Sequence, residues 1–260
     1  MSPEELAAVG LRLDVDSALA TVTIDRPDSR NSQTPAMWRA LATIGEGLTD
    51  EVRVVVVRGE GPAFSAGLDR RMLDPATADE ETVAALLAMD DATASATIDD
   101  FQRGFTWLRD PRFVSIAAVQ GYAIGAGFQL ALSCDIRVVA DDAQFCMKES
   151  ALGLVPDLTG TKPLVESVGY ARALEICATA RMVGAAEAVD IGLALAAVPG
   201  AELDSTVADL VAALTAALPG AVRETKALLL GASSREPDEQ RRLEREAQVR
   251  RFRELAALAT

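Results

Sequence analysis

Between Arg112 and Asp135 the chain carries no charged residue. This run lies inside a longer stretch, Phe113 to Glu149, that limits the possible folds more than any other segment. Phe113 to Gln120 is apolar and contains β-branched residues, as a strand buried on both faces does. Gly121, Gly125 and Gly127 then punctuate the chain, Ala126 to Ser133 restores helical spacing, and Asp135 to Ala140 returns to a strand. A buried strand that passes through a glycine-rich turn into a helix leaves N–H groups without partners at the helix start. Together with the positive end of the helix dipole, those donors can hold an oxygen that carries negative charge. The stretch therefore predicts half of an anion-stabilising site, with the other half supplied from elsewhere in the chain.

What else the residues allow follows from what they lack. There is no histidine, so Ser-His-Asp and Cys-His nucleophilic schemes are excluded and a zinc site is not expected. Acid–base work falls to carboxylates, lysine, tyrosine or an ordered water. The net charge of −14 argues against nucleic acid and against anionic membrane surfaces, while leaving room for a small phosphorylated ligand beside a local cluster of arginines. Cys134, Cys146 and Cys177 form no CxxC pair and read as reduced thiols of a cytoplasmic protein. The opening MSPEELAAVG has two acids and no apolar core, unlike a signal peptide. Gln120, Gln129 and the three glycines argue against a membrane span in the uncharged run.

In chain order, Leu11 to Val15, Leu19 to Ile24 and Val52 to Arg58 are predicted strands. Thr34-Pro35 opens a helix to about Leu48, as an N-cap followed by a first-turn proline does. Arg70 to Asp110 is acidic and helical in pattern. Further helices are expected near Lys162 to Val168, Ala171 to Thr179 and Ala185 to Ile191, and beyond Pro199-Gly200 from Leu203 to Leu218, Ala221 to Leu230 and Asp238 to Ala259. The last is rich in arginine, a solvated face by default, and a phosphate site or subunit contact on a sharper reading. Strands early and helices late imply an α/β fold with a helical appendage.

Two strand–turn–helix units, around Ala66 and Ala126, share one design. Here the chain resembles the crotonase superfamily of enoyl-CoA hydratases and isomerases. The resemblance runs through DRPDSRNS at 25–32, GPAFSAGLD at 61–69, VQGYAIGAGFQLALSCDI at 119–136, AQFCMKESALGLVPDLTGT at 143–161 and ARALEICATARMVGAAEAVDIGL at 171–193. It implies a crotonase-type spiral of repeated ββα units (residues 1–198) with a C-terminal helical trimerisation region (199–260), assembled as a homotrimer or a dimer of trimers. It also implies an acyl-CoA substrate with no separate cofactor and no metal. A dinucleotide loop at Gly125-Ala126-Gly127 is the rival motif, and it fails at its third glycine position, which holds Leu130.

By matching position, the resemblance places the thioester oxygen between the backbone N–H groups of Ala66 and Ala126. Two preorganised donors there stabilise an enolate, and loss of one such donor costs about 3–4 kcal/mol. Of the two acids used by family hydratases, the first position holds Gln129, which cannot exchange a proton at neutral pH, and the second holds Glu149. Asp157 stands where some family isomerases place an acid. Glu149 and Asp157 thus form the expected catalytic pair, with Gln129 orienting water or thioester. Read alone, Glu149 beside Lys148 is a surface ion pair and Asp157 a helix cap. Arg26, Arg30 and Asn31 are expected on the CoA side of the site, with Phe64, Ser65, Leu68 and Gly125 lining the substrate. Double-bond isomerisation of an enoyl- or dienoyl-CoA is the leading expectation. The alternatives are hydration of a 2-enoyl-CoA by Glu149 alone, hydrolysis or dehalogenation with Asp157 as nucleophile, or a weakly active CoA-ester binder.

Overall fold

The computed structural model describes residues 1–74 and 82–258. Its main sheet contains β1 (Leu11–Asp16), β2 (Leu19–Ile24), β3 (Val54–Gly59), β4 (Val114–Val119), β6 (Ile136–Ala140) and β9 (Ala196–Val198), in the order β1-β2-β3-β4-β6-β9. β1 runs antiparallel to β2, and every other neighbour pair is parallel. A smaller sheet joins β5 (Tyr122–Ile124), β7 (Gln144–Cys146) and β8 (Val183–Gly184). The helices are α1 (Pro3–Ala8), α2 (Pro35–Gly47), α3 (Val83–Leu87), α4 (Asp91–Thr106), α5 (Ala126–Ser133), α6 (Thr161–Val168), α7 (Tyr170–Thr179), α8 (Ala185–Asp190), α9 (Leu203–Ala216), α10 (Pro219–Leu230) and α11 (Pro237–Leu258).

The apolar runs of β3 and β4 arise because both faces of the sheet are covered. Val55, Val57, Ala117 and Val119 enter the main core with α2, α4 and α5, whereas Val54, Val56, Ile116 and Ala118 pack against Leu203 and Val207 of α9. Period-2 alternation therefore vanishes, as expected for strands buried on both sides. Thr34 caps α2 through the Met37 amide, with Pro35 in the first turn. Phe101 and Phe105 of α4 lie against Trp38, with ring centroids 5.1 and 6.0 Å apart, so these aromatics belong to the core. The sequence pattern over Arg70 to Asp110 is helical in α3 and α4, while its portion at 75–81, like Ala259 of the last helix, lies outside the described residues. In the arginine-rich α11, Arg241 and Arg242 pair with Asp238 and Glu246 as on a solvated face, Arg250 reaches Glu224 of α10, and Arg251 is buried beside Glu254 with its Nη2 lacking a partner among the described residues.

The sheet's two ends do different work. At the start of β4, Lys226 of α10 is buried and donates to the carbonyls of Asp110 and Phe113 and to Asp135 Oδ2, each at 2.7 Å. Asp135 Oδ2 also accepts from the Ser115 amide at 2.8 Å, so this cluster bolts the C-terminal helices to the strands. Lys226→Met is expected to destabilise the fold by about 3–5 kcal/mol, because it strands a mostly buried carboxylate without its cation. Urea unfolding of the two proteins checks this. The opposite end of the same strands carries the loops described next.

Candidate active site

Past β3 the chain turns at Gly59 to Pro62 and runs back as Phe64 to Leu68 beside β5. Ser65 N donates to Tyr122 O at 2.8 Å and accepts in return through its carbonyl from Ile124 N at 3.0 Å. The close fit needs small residues. Gly67 has φ +82°, and a Cβ there would collide with Ile124 O and come within 3.3 Å of Ala126 N. At Gly127 a Cβ would strike the Ser65 carbonyl and lie 2.8 Å from Ser65 Cβ. The loop and the first turn of α5 are thus pressed backbone to backbone, a contact that only glycine permits.

The Ala126 N–H, first in α5, has no acceptor among the described residues, as helix geometry dictates for a first-turn amide with no side-chain cap. Ala66, expected to be its counterpart, is already engaged: its N–H donates to Arg30 O at 2.8 Å and points into the Arg30–Gln33 loop. This corrects the sequence reading. Two residues on, Gln33 N donates to Gly67 O at 2.7 Å and Asp69 N donates to Gln33 O at 2.8 Å. That parallel bridge leaves the Leu68 N–H between them, turned away from Gln33, and it too has no acceptor among the described residues.

Glu149 opens a 3-10 turn (Glu149–Leu152) after β7, and its carboxyl lies against the α5 start. A Cβ on Gly125, which has φ +52°, would sit 3.4 Å from Glu149 Oε1 and 3.9 Å from Oε2. Glu149 is only 8% exposed and has no ion pair among the described residues, so the Lys148 surface-pair reading fails. Oε1 accepts from Gln129 Nε2 at 2.7 Å, whereas Oε2 is buried with no partner among the described residues. Gln129, fully buried, is itself clamped: its Oε1 accepts from the amides of Leu158 at 2.8 Å and Gly160 at 3.2 Å. Asp157 does not cap α6, whose N-cap is Gly160 with no side-chain bond. Its carbonyl accepts from Gln102 Nε2 at 2.6 Å, tying the loop to α4.

Burial pushes the Glu149 carboxyl above its ordinary value of 4.5; the Gln129 hydrogen bond opposes this and the Asp157 charge adds to it. Asp157 is also raised by desolvation, although the residue stands at the surface. Asp157 thus stands close enough for its charge to act on Glu149. A carboxyl whose folded pKa is raised contributes stability below its unfolded value and loses it as pH rises through the folded one. Stability is therefore expected to fall as pH climbs past 4.5 while activity rises over the same window, because the base must be ionised. Thermal unfolding and kcat/KM measured across that range check the opposition of the two curves.

The residues expected around CoA separate into two groups. Arg26 is spoken for: it donates to Ser32 O at 2.6 Å and to Asp69 Oδ2 at 2.9 Å, and Asp69, also bonded by Arg71, is held well below the usual carboxylate range. Asn31 is buried with φ +57° and pins the loop, accepting from Arg26 N at 2.9 Å and donating to the carbonyls of Glu60 and Ala63 at 2.8 and 2.7 Å. Ser65 donates to Asn31 O at 2.7 Å, and Phe64 is core. The engagement of Arg26 corrects its expected part in holding phosphate, whereas the side chains of Asn31, Phe64 and Ser65 brace the site from behind and leave contact with a ligand to the backbone. Arg30 is exposed, its guanidinium 5.9 Å from the ring centre of half-exposed Tyr122. Leu68 and Gly125 lie at the site through their backbones. Cavities of about 440 and 710 Å³ open elsewhere, beside α4 and under α10, and neither touches Glu149. The amides of Leu68, Leu158 and Gly160 were not singled out in the sequence; Thr159, with φ +69° between the last two, leaves no mark in residue pattern.

Comparison with known proteins agrees with this architecture. The family profile described as enoyl-CoA hydratase/isomerase matches residues 14–256. A Mycobacterium tuberculosis protein assigned as an enoyl-CoA hydratase is 31% identical over 191 residues, covering 72% of this chain and 68% of its own. The peroxisomal Δ(3,5)-Δ(2,4)-dienoyl-CoA isomerase of Arabidopsis thaliana is 32% identical over 230 residues, covering 85% and 80%. A Thermobifida fusca YX protein assigned as an enoyl-CoA hydratase, solved with CoA, superposes with a TM-score of 0.94 at 52% identity, covering 99% of this chain and 98% of its own. The same protein was also solved with acetoacetyl-CoA. A crotonase-type α/β fold and a family profile over nearly the whole sequence lead to one conclusion: the chain is a member of the enoyl-CoA hydratase/isomerase family.

Proposed function

We propose that the protein isomerises an unsaturated acyl-CoA by moving one proton between carbons, through an enolate. The observation that carries this reading is the oxygen Oε2 of Glu149, buried beside the first turn of α5 and without a partner among the described residues. On a 3-enoyl-CoA, Oε2 takes the proton from C2, and the C2–H electron pair moves into the C1–C2 bond to give a dienolate. Its oxygen is held by the Ala126 amide and, in place of Ala66, by the Leu68 amide, two donors that need no reorganisation at the moment of reaction. The protonated Glu149 returns the proton to C4, the double bond settles between C2 and C3, and no atom is gained or lost. Burial favours this exchange by drawing the base's pKa toward the operating pH. Asp157 keeps negative charge near Glu149 and assists. CoA recognition is inferred from the Thermobifida fusca complexes, with exposed Arg30 beside Tyr122 available for phosphate. The reading includes a trimeric assembly through the C-terminal helices, for which the exposed Leu229 of α10 and Phe252 of α11 are a candidate contact face.

Hydration of a 2-enoyl-CoA is the second reading, favoured by the names of several relatives. It requires both a hydroxyl delivered to C3 and a proton to C2, and Gln129 holds a position from which it can do neither. Parallel assays of 3-enoyl-, dienoyl- and 2-enoyl-CoA separate the two. Isomerisation faster than hydration supports the proposal, and the reverse order overturns it.

A further inference from the structure

We infer that Gln129 is a positioning residue that acts through Glu149, locking one carboxylate oxygen so that only the other can exchange protons with substrate. The inference deepens the proposed reaction and rests on Glu149 being its base.

The geometry leaves Gln129 one orientation. Two main-chain amides, from Leu158 and Gly160, converge on its Oε1, and so the end that faces Glu149 is the NH₂. A flipped carboxamide would set donor against donor on one side and oxygen against carboxylate on the other. Gly160 is part of the clamp, since a Cβ there would lie 2.7 Å from Gln129 Cγ and 3.1 Å from its Cβ. Gln129 is fully buried on α5, one turn beyond the Ala126 amide, so its carboxamide cannot swing out to solvent or to substrate. Glu149 Oε1 is consequently occupied and Oε2 is the one oxygen left to move a proton. The hydrogen bond also favours the ionised carboxylate against the desolvation that opposes it.

The same clamp would accept a carboxylate. An oxygen under two N–H donors is a place where negative charge is stable, and a glutamate at 129 would keep both bonds. Its second oxygen would then face Glu149 Oε1, setting a like charge where the wild type offers a donor, and so would disfavour the ionised base.

The test uses exchange of the C2 protons of butyryl-CoA in D₂O, which reads the base without requiring either net reaction, together with isomerase and hydratase assays of the full-length protein. In Gln129→Met the acidic limb of the exchange profile is expected to move up by about one pH unit, as loss of a hydrogen bond to a carboxylate implies, with kcat reduced and KM little changed. Gln129→Glu is expected to move the limb up at least as far, because a like charge replaces the donor, and to refold as well as wild type because the clamp stays filled. An unmoved exchange profile in Gln129→Met, or in a folded Gln129→Glu, overturns the inference. Absence of exchange by the wild type overturns the reading beneath it instead, so the two failures are told apart.

Discussion

Glu149→Gln is expected to lower kcat for isomerisation by about 10²–10⁴, the contribution of a positioned general base, with KM almost unchanged. The substitution keeps the shape of the side chain and its contact with Gln129, whose Nε2 donates to Oε1 in the wild type. What it removes is the proton-accepting Oε2, the atom without a hydrogen-bond partner among the described residues. Stability is expected to move the other way. An ionised carboxylate in this site is disfavoured by burial, and a neutral amide avoids that cost, so the variant should unfold at an equal or higher temperature at neutral pH. A surface ion pair with Lys148 would predict no change in rate and a slight loss of stability. Steady-state kinetics and calorimetry on one preparation therefore discriminate between the two accounts.

The second large effect is expected at Gly67. Gly67→Ala introduces a Cβ at φ +82° that collides with Ile124 O and crowds Ala126 N. The loop carrying the Leu68 amide must lift away from α5, and both donors lose their common target. A lost oxyanion donor costs about 3–4 kcal/mol in the transition state, or about 10²–10³ in kcat. A matched control exists at Gly169, between α6 and α7, which has φ +79° and nothing within 4 Å of a built Cβ. Gly169→Ala bears the backbone strain alone, about 1 kcal/mol of stability, and should retain wild-type kcat. Equal kinetic losses in the two variants would show that the Gly67 effect is general destabilisation.

Much of the fold is legible in the sequence because its elements obey local rules. β4 and α5 were expected within a residue or two of where they lie, since an uncharged β-branched run and a glycine-flanked helical spacing each carry their own signal. The short strands β5, β7, β8 and β9 were not, because two or three residues show no periodicity and exist only through their partners. The site divides along the same line. Glu149, Gln129 and Ala126 are brought together as the motif implies, but the direction of an N–H is a tertiary fact. Ala66 and Leu68 are both small-loop amides in the sequence, and the bridges to Arg30 and Gln33 decide which one is spent. Arg26 reads as available for phosphate in the sequence, and Asp69, 43 residues away, holds it in the structure. Loops are placed by distant partners, and their side-chain allegiances follow from that placement.

The most direct test of the central claim is a crystal structure with a non-reacting acyl-CoA whose thioester carbonyl is intact. The account predicts the thioester oxygen at about 2.7–3.1 Å from the amides of both Leu68 and Ala126, with Glu149 Oε2 at about 3–3.5 Å from C2. A carbonyl bound away from Ala126, or a Glu149 whose Oε2 faces away from the acyl chain, would contradict it.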